Sequence, residues 1–355
     1  MPANIVCNGN AVYRWKHISE RLRPVLDRLT TIQGLRAIAA LGVLFFHIRL
    51  IGIGYFGVDV FFVISGFIVC YVASRQPDHF LAKRLIRIVP LYWVATAAVA
   101  ALAITFPALL QSTEANTTTF VKSLLFIPYE RPTGLVQPIL FLGWTLNYEM
   151  FFYVMFAASL VVSPKHAPLT CSVILSALCL LGQVATLSLP WSYWFNPRIL
   201  EFVFGMAAFH VYATKPQWLK ATPALLAVSV GVVAIIGMAF QTTLGSKQYD
   251  VAICAPLSLL VVLAALALEG RLWVPFVVVL VGDASYSLYL LHPYVVGVVE
   301  KALDPMTTPS VKAIVAAVIT IALSTAVAVI SFWVLEKPTN KWLRRYLKRP
   351  VARTA

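Results

Sequence analysis

The sequence predicts an all-α, polytopic membrane protein of about ten transmembrane helices with both termini in the cytosol. Of its 355 residues, 60% are hydrophobic and only 12% charged, and the mean hydropathy of +0.83 is far above that of an ordinary soluble domain. The apolar residues gather into runs of the length a helix needs to cross a hydrocarbon core, about 20 residues for about 30 Å. The Lys and Arg residues, whose excess sets a formal charge of +14, cluster between and beyond those runs. That is the pattern of basic cytoplasmic edges, and it sets aside nucleic acid as a partner.

Taken in order, residues 1–31 hold Arg14, Lys16, Arg21, Arg23 and Arg28 without an apolar centre, and read as a cytosolic basic leader rather than a secretory signal. Ten apolar runs follow, at 34–52, 56–73, 89–107, 140–162, 169–189, 193–213, 223–241, 250–268, 284–300 and 312–335. Residues 272–281 are too few to span and read as an interfacial or re-entrant piece ahead of Gly282-Asp283. Residues 108–139 form the one long loop, with an apolar centre at 120–127 that suits the interface. The membrane domain is thus 32–337, and 338–355 a cytosolic basic tail. With both termini inside, the inner segments carry 20 basic residues and the outer ones 6, so the positive-inside rule fixes this orientation. The five cysteines have no paired or zinc-ligand spacing and read as small apolar filler. No metal site is signalled, and no soluble catalytic domain follows the last span, so chemistry falls to the helices.

Ionisable side chains inside spans need a partner or a function. Arg36 and His47 in LRAIAALGVLFFH are eleven residues apart, about three helical turns, and so share one face roughly 16 Å apart along the axis. This puts Arg36 at the cytosolic edge and His47 near the midplane; alternatively Arg36 snorkels to the interface and His47 bonds a neighbouring helix. Asp59, in GYFGVDVFFVISGF, either orients a catalytic imidazole, holds a sugar hydroxyl, or ion-pairs with another helix. Glu149, in GWTLNYEMFFY, is a carboxylate among aromatics with no cation on its own helix; Arg198 and Glu201 of NPRILEF are possible partners, and that couple reads as a structural ion pair ahead of a catalytic one. Arg84 and Arg87, three residues apart in AKRLIRIVPLYW, share a face and form either a plain membrane anchor or, with Lys83, a phosphate clamp. Pro90 is expected to kink the entrance of that span. In GDASYSLYLLHP, Asp283 is the expected N-cap of span 9, and His292 either serves helix packing, the favoured reading, or rivals His47 as a base.

The ordered stretches TIQGLRAIAALGVLFFH, YFGVDVFFVISGF, RLIRIVPLYW, WTLNYEMFFY, RILEFVFGM, GDASYSLYLLHP and VLEKP resemble the acyltransferase family 3 membrane proteins, across most of residues 30–340. That group includes exopolysaccharide, O-antigen and Nod-factor acyltransferases. The family's Arg, ten residues, His signature on the first helix is matched by Arg36 and His47. The resemblance implies ten core helices in the bacterial inner membrane, an acyl-CoA donor from the cytosol and a glycan acceptor, lipid-linked or exported, on the far side. It also implies the stand-alone type, without the extracytoplasmic hydrolase-like domain of some members.

On that basis the expected function is O-acylation of a surface polysaccharide, with acetyl-CoA the default donor and no metal. His47 is the expected base, or acyl carrier, because an imidazole titrates near operating pH. Arg36, Arg84 and Arg87 are expected to bind the phosphates of coenzyme A, while Asp59 and Glu149 orient the imidazole or hold the acceptor. The alternative is a glycan transporter or flippase, in which His47, Asp59 and Glu149 line the path.

Overall fold

The computed structural model describes residues 29–48, 50–107, 113–243, 251–303 and 310–347. The leader up to residue 28 and the last eight residues lie outside them, as do Arg49 and Lys247. Each of the ten predicted apolar runs is met by a helix. In chain order the helices are α1 (Thr30–His47), α2 (Gly57–Arg75), α3 (Phe80–Thr105), α4 (Thr117–Leu124), α5 (Trp144–Val162), α6 (Ala167–Val184), α7 (Trp191–Trp194), α8 (Leu200–Thr214), α9 (Pro216–Ala221), α10 (Ala224–Thr243), α11 (Val251–Ala267), α12 (Phe276–Asp283), α13 (Ser285–Leu303), α14 (Val311–Ser331) and α15 (Lys337–Leu347). Seven helical stretches among the described residues are long and apolar enough to cross a membrane, and the bent pair α12–α13 makes an eighth. The remaining two of the ten, α8 and α11, have 15 and 17 residues.

Local chemistry explains where the helices depart from expectation. α1 ends at His47 rather than running to residue 52, because Gly52 and Gly54 turn the chain with φ of +61° and +131°. A Cβ on Gly54 would lie 2.0 Å from the carbonyl oxygen of Gly42, so only glycine allows the returning chain to rest on α1. His47 therefore occupies the last turn of its helix, not its middle. α3 begins at Phe80 and takes in the basic run, which leaves Pro90 within the helix instead of at its entrance. α8 starts late because Asn196-Pro197 breaks the run, with the Asn196 side chain accepting the backbone N–H of Arg198 at 3.1 Å. Asp283 closes α12 and does not cap α13; the two helices meet at Ala284 with a bend of 75°. A short helix and a sharp bend of this kind fit one broken span as well as a re-entrant piece ahead of α13. At the end of the chain the helix continues past the predicted boundary: a π turn, Phe332–Glu336, joins α14 to α15.

α2 is the central helix, with 72% of its most apolar stretch enclosed, against 17% for the lipid-facing α10. It meets α8 where Gly66 and Gly205 face one another, and a Cβ on either would lie 2.2 or 2.1 Å from the other helix's backbone. Close backbone approach through small residues is how apolar helices gain packing without a hydrophobic drive between them. α12 is set against α1 in the same way, through Gly282 on the carbonyl of Gln33. The start of α1 is held from the loop after α11. Glu269 accepts the backbone N–H and hydroxyl of both Thr30 (3.1 and 3.0 Å) and Thr31 (3.0 and 2.5 Å). A carboxylate there satisfies orphan donors and complements the helix dipole.

Candidate active site: two chambers on either side of Tyr289

Two cavities open among these helices, and they divide the polar residues between them. The first, about 100 Å³, is lined by Arg36, Arg84, Arg87, Glu149, Ser65, Tyr153, Ser285 and Tyr286 with apolar side chains of α2, α3 and α5. The second, about 530 Å³, holds His47 with Tyr55, Trp144, Tyr148, Tyr193, Asn196, Arg198 and Gln137. Val58 and Tyr289 are the two residues that line both.

In the arginine chamber, Arg36 is buried and donates to Ser285 Oγ at 2.8 Å and to Gln33 Oε1 at 3.4 Å. Arg84 is buried too, donating to the Ile68 carbonyl at 3.3 Å, and its Nε has no acceptor among the described residues. Arg87, one helical turn on, is partly exposed and makes no hydrogen bond or ion pair there. The three guanidinium groups face a single lining carboxylate, Glu149. Its Oε1 accepts the hydroxyl of Ser65 at 2.7 Å and that of Tyr153. Glu336 of the π turn accepts from Ser287 at 2.9 Å, two positions along α13 from the Ser285 that binds Arg36. Partly unsatisfied guanidinium donors in excess of carboxylates suit a phosphorylated ligand.

The histidine chamber rests on a contact that spacing along the chain does not show. His292 Nε2 lies 3.3 Å from His47 Nδ1. Each ring also sets its Nδ1 against the carbonyl four residues back on its own helix, Val43 at 2.8 Å and Leu288 at 2.9 Å. A carbonyl can only accept, so both rings carry their proton on Nδ1 in the neutral state. His47 Nδ1–H is then shared between Val43 and His292, and its Nε2 keeps a lone pair with no acceptor or donor among the described residues. His292 is fully buried, and His47 is partly exposed. The two histidines are thus partners, with His47 as the accessible one, rather than rivals.

Aromatic rings build the rest of that chamber. Tyr148 and Tyr193 stack at 4.4 Å, Tyr193 donates to the Trp144 carbonyl at 2.9 Å, and the Arg198 guanidinium lies 5.3 Å from the Trp144 ring centre and 5.7 Å from that of Tyr55. The loop before α5 supplies Leu135, Val136 and Gln137 to the wall. That loop is shaped by Arg131, which donates to the carbonyls of Gln137 at 3.1 Å, Ile139 at 3.1 Å and Pro138.

The two predicted carboxylates part company. Glu149 lies with the arginines and touches neither Arg198 nor Glu201 in the way its helix suggested. Asp59 lines neither cavity; it is fully buried 3.7 Å from Arg198, which is 3.9 Å from Glu201, so its contacts are those of the helix-bridging alternative. Arg198 forms the ion pair with Glu201 that its motif suggested and also lines the histidine chamber with Tyr289, while His292 contacts His47. The one signal of this grouping in the sequence was the face shared by Tyr289 and His292, three residues apart on α13.

The arrangement is that of a polytopic, all-helical membrane protein with a cationic chamber and a histidine chamber in contact. The sequence matches the family described as acyltransferase domain over residues 29–333, and the chain belongs to that family. It is an O-acyltransferase embedded in a membrane, which displaces the transporter alternative. It is 38% identical over 298 residues to exopolysaccharide production protein ExoZ of Rhizobium meliloti (strain 1021), covering 81% of this chain and 89% of that protein. It is 27% identical to a putative membrane-bound transacylase, BcsY, of Komagataeibacter xylinus, over 79% of this chain and 76% of the relative. Peptidoglycan O-acetyltransferase OatA of Listeria monocytogenes is 24% identical over 88% of this chain and 56% of that protein. No solved structure matches.

Proposed function

We propose that the protein moves an acyl group, acetyl in the first instance, from coenzyme A to a hydroxyl of an exported polysaccharide at the bacterial inner membrane. The division of the interior into two adjoining chambers carries this reading. The arginine chamber would face the cytosol, as the positive-inside count requires, and take the donor's phosphates on Arg36, Arg84 and Arg87. The histidine chamber would face the other side, where Trp144, Tyr148 and Tyr193 offer the flat aromatic surfaces on which sugar rings pack. The exopolysaccharide production for which the Rhizobium relative is named supports a polysaccharide acceptor.

In the proposed reaction the sugar hydroxyl gives its proton to His47 Nε2 as its oxygen attacks the thioester carbonyl. The tetrahedral intermediate collapses to the ester, and the proton passes from Nε2 to the departing thiolate of coenzyme A. His292, holding Nδ1 of His47, keeps the basic lone pair on Nε2 and spreads the charge of the imidazolium that forms. General-base assistance of this kind contributes typically about 10²- to 10⁴-fold. The test is incubation of the purified protein with labelled acetyl-CoA and chemically deacylated polysaccharide from cells lacking the gene. Ester-linked label on the polysaccharide supports the reading; label released only as free acetate, or not released, refutes it.

A further inference from the structure

Tyr289 lines both chambers, and the reaction above has to cross it. Its ring lies edge-on to Phe61 at 5.9 Å and three residues before His292 on α13, and only 6% of the residue is exposed. Its hydroxyl lies 3.0 Å from Thr145 Oγ1, in the first turn of α5, and 3.4 Å from the Leu142 carbonyl just before that helix. Thr145 belongs to the arginine chamber and Leu142 to the histidine chamber, so the phenol is tied to both sides of the wall. Its neighbour in the wall, Val58, is a small aliphatic side chain on the rigid central helix α2. Of the two, Tyr289 alone has a polar tether that rotation could break and remake at little net cost, a hydrogen bond in a folded protein being worth about 0.5–1.5 kcal/mol.

We propose that Tyr289, latched to Thr145, is the gate between the donor and acceptor chambers and sets the partition between acyl transfer and hydrolysis. This rests on the proposed acyl-CoA reaction. With the latch closed, the thioester carbonyl is held on the arginine side, away from His47 Nε2 and from water in the larger chamber. When the phenol swings aside, the acyl end of the donor passes Val58 and meets His47. Water taking the place of the sugar hydroxyl would give the free carboxylic acid and coenzyme A thiol, with the same proton route through Nε2. A gate that opens only briefly limits that loss while the acceptor site is empty. Tyr289 is therefore a positioning residue, and Tyr289→Phe keeps the ring while losing the latch.

The readout is the ratio of coenzyme A thiol released without acceptor to ester formed with deacylated polysaccharide, for the full-length protein in nanodiscs with acetyl-CoA. Tyr289→Phe and Thr145→Val should each raise the ratio several-fold. The double variant should add little to Tyr289→Phe, which already loses the hydroxyl's contact with Thr145. Tyr289→Ala, which opens the wall, should raise it by about tenfold or more. A wild type that transfers acyl groups while all four variants keep its ratio overturns the gate alone. Equal loss of both reactions in the folded Phe variant also overturns it, because Tyr289 would then serve the chemistry itself. A wild type that transfers nothing removes the proposed reaction and the gate with it.

Discussion

His292 Nε2 sits 3.3 Å from Nδ1 of His47, joining α13 to the last turn of α1 across 245 positions of sequence. One imidazole is wholly buried, the other reaches a chamber, and the order of the contact decides which nitrogen of His47 is the base.

Removing the buried partner is therefore expected to harm turnover without harming donor binding. His292→Gln should lower kcat by about ten- to a hundredfold, less than the loss of the base itself, and leave the KM for acetyl-CoA within a factor of about two. Steady-state kinetics in detergent check this. An equal fall in donor affinity would mean that His292 shapes the arginine chamber instead.

The arginine chamber is tested through the ligand. Charge-assisted hydrogen bonds are worth roughly 1.5–3 kcal/mol, so Arg84→Gln or Arg87→Gln should weaken acyl-CoA binding by about tenfold to a hundredfold at 1.4 kcal/mol per decade. Donor lacking the 3′-phosphate should bind wild type less well, with little further loss in the variant whose Arg meets that phosphate. Binding of both donors to wild type and both variants gives the cycle. Full additivity would return Arg84 and Arg87 to the role of membrane anchors. Glu149→Gln, which removes the lining carboxylate of that chamber, should not weaken donor binding.

Asp59 belongs to the other side. Its Arg198 partner walls the histidine chamber with Trp144 and Tyr55. Arg198 keeps Glu201 at 3.9 Å when Asp59 is neutralised, so the cost should fall below about 3–5 kcal/mol, that of a buried pair whose remaining charge is left alone. Asp59→Asn should lower the melting temperature in detergent and raise the KM for the polysaccharide, with the KM for acetyl-CoA unmoved. A change confined to the donor would contradict the division into chambers.

Much of this was legible in the sequence. Hydropathy marks the ten helices because burial in lipid demands long apolar runs, and the three-residue spacing of Arg84 and Arg87 places them together on α3. Arg36 joins them through Ser285, on a helix nearly 250 positions away, which no local pattern could show. Two glycines decided the position of His47: the turn at Gly52 and Gly54 ends α1 five residues early and leaves the imidazole in its last turn. Glu149 and Asp59 looked alike as lone carboxylates in apolar helices. Their separation into different surroundings depends on how α2, α5 and α8 pack, and spacing along any one of them is silent on that.

Glu269 gives a test of how α1 is held in place. It accepts four hydrogen bonds from Thr30 and Thr31. Loss of a helix N-terminal cap costs about 0.5–2 kcal/mol, so Glu269→Ala should lower the melting temperature in detergent. Because α1 carries both Arg36 and His47, it should also lower turnover while the protein still inserts. Unchanged thermal stability would show that the packing of α1 on its neighbouring helices holds it without the cap.

The central claim, that His47 is the base of an acyl transfer, is tested most directly by turnover of the His47→Ala protein with labelled acetyl-CoA and deacylated polysaccharide, measured beside its acetyl-CoA affinity. The expected result is a normally inserted protein that binds acetyl-CoA as wild type does and forms ester at least about 100-fold more slowly. Near wild-type ester formation by His47→Ala would contradict it.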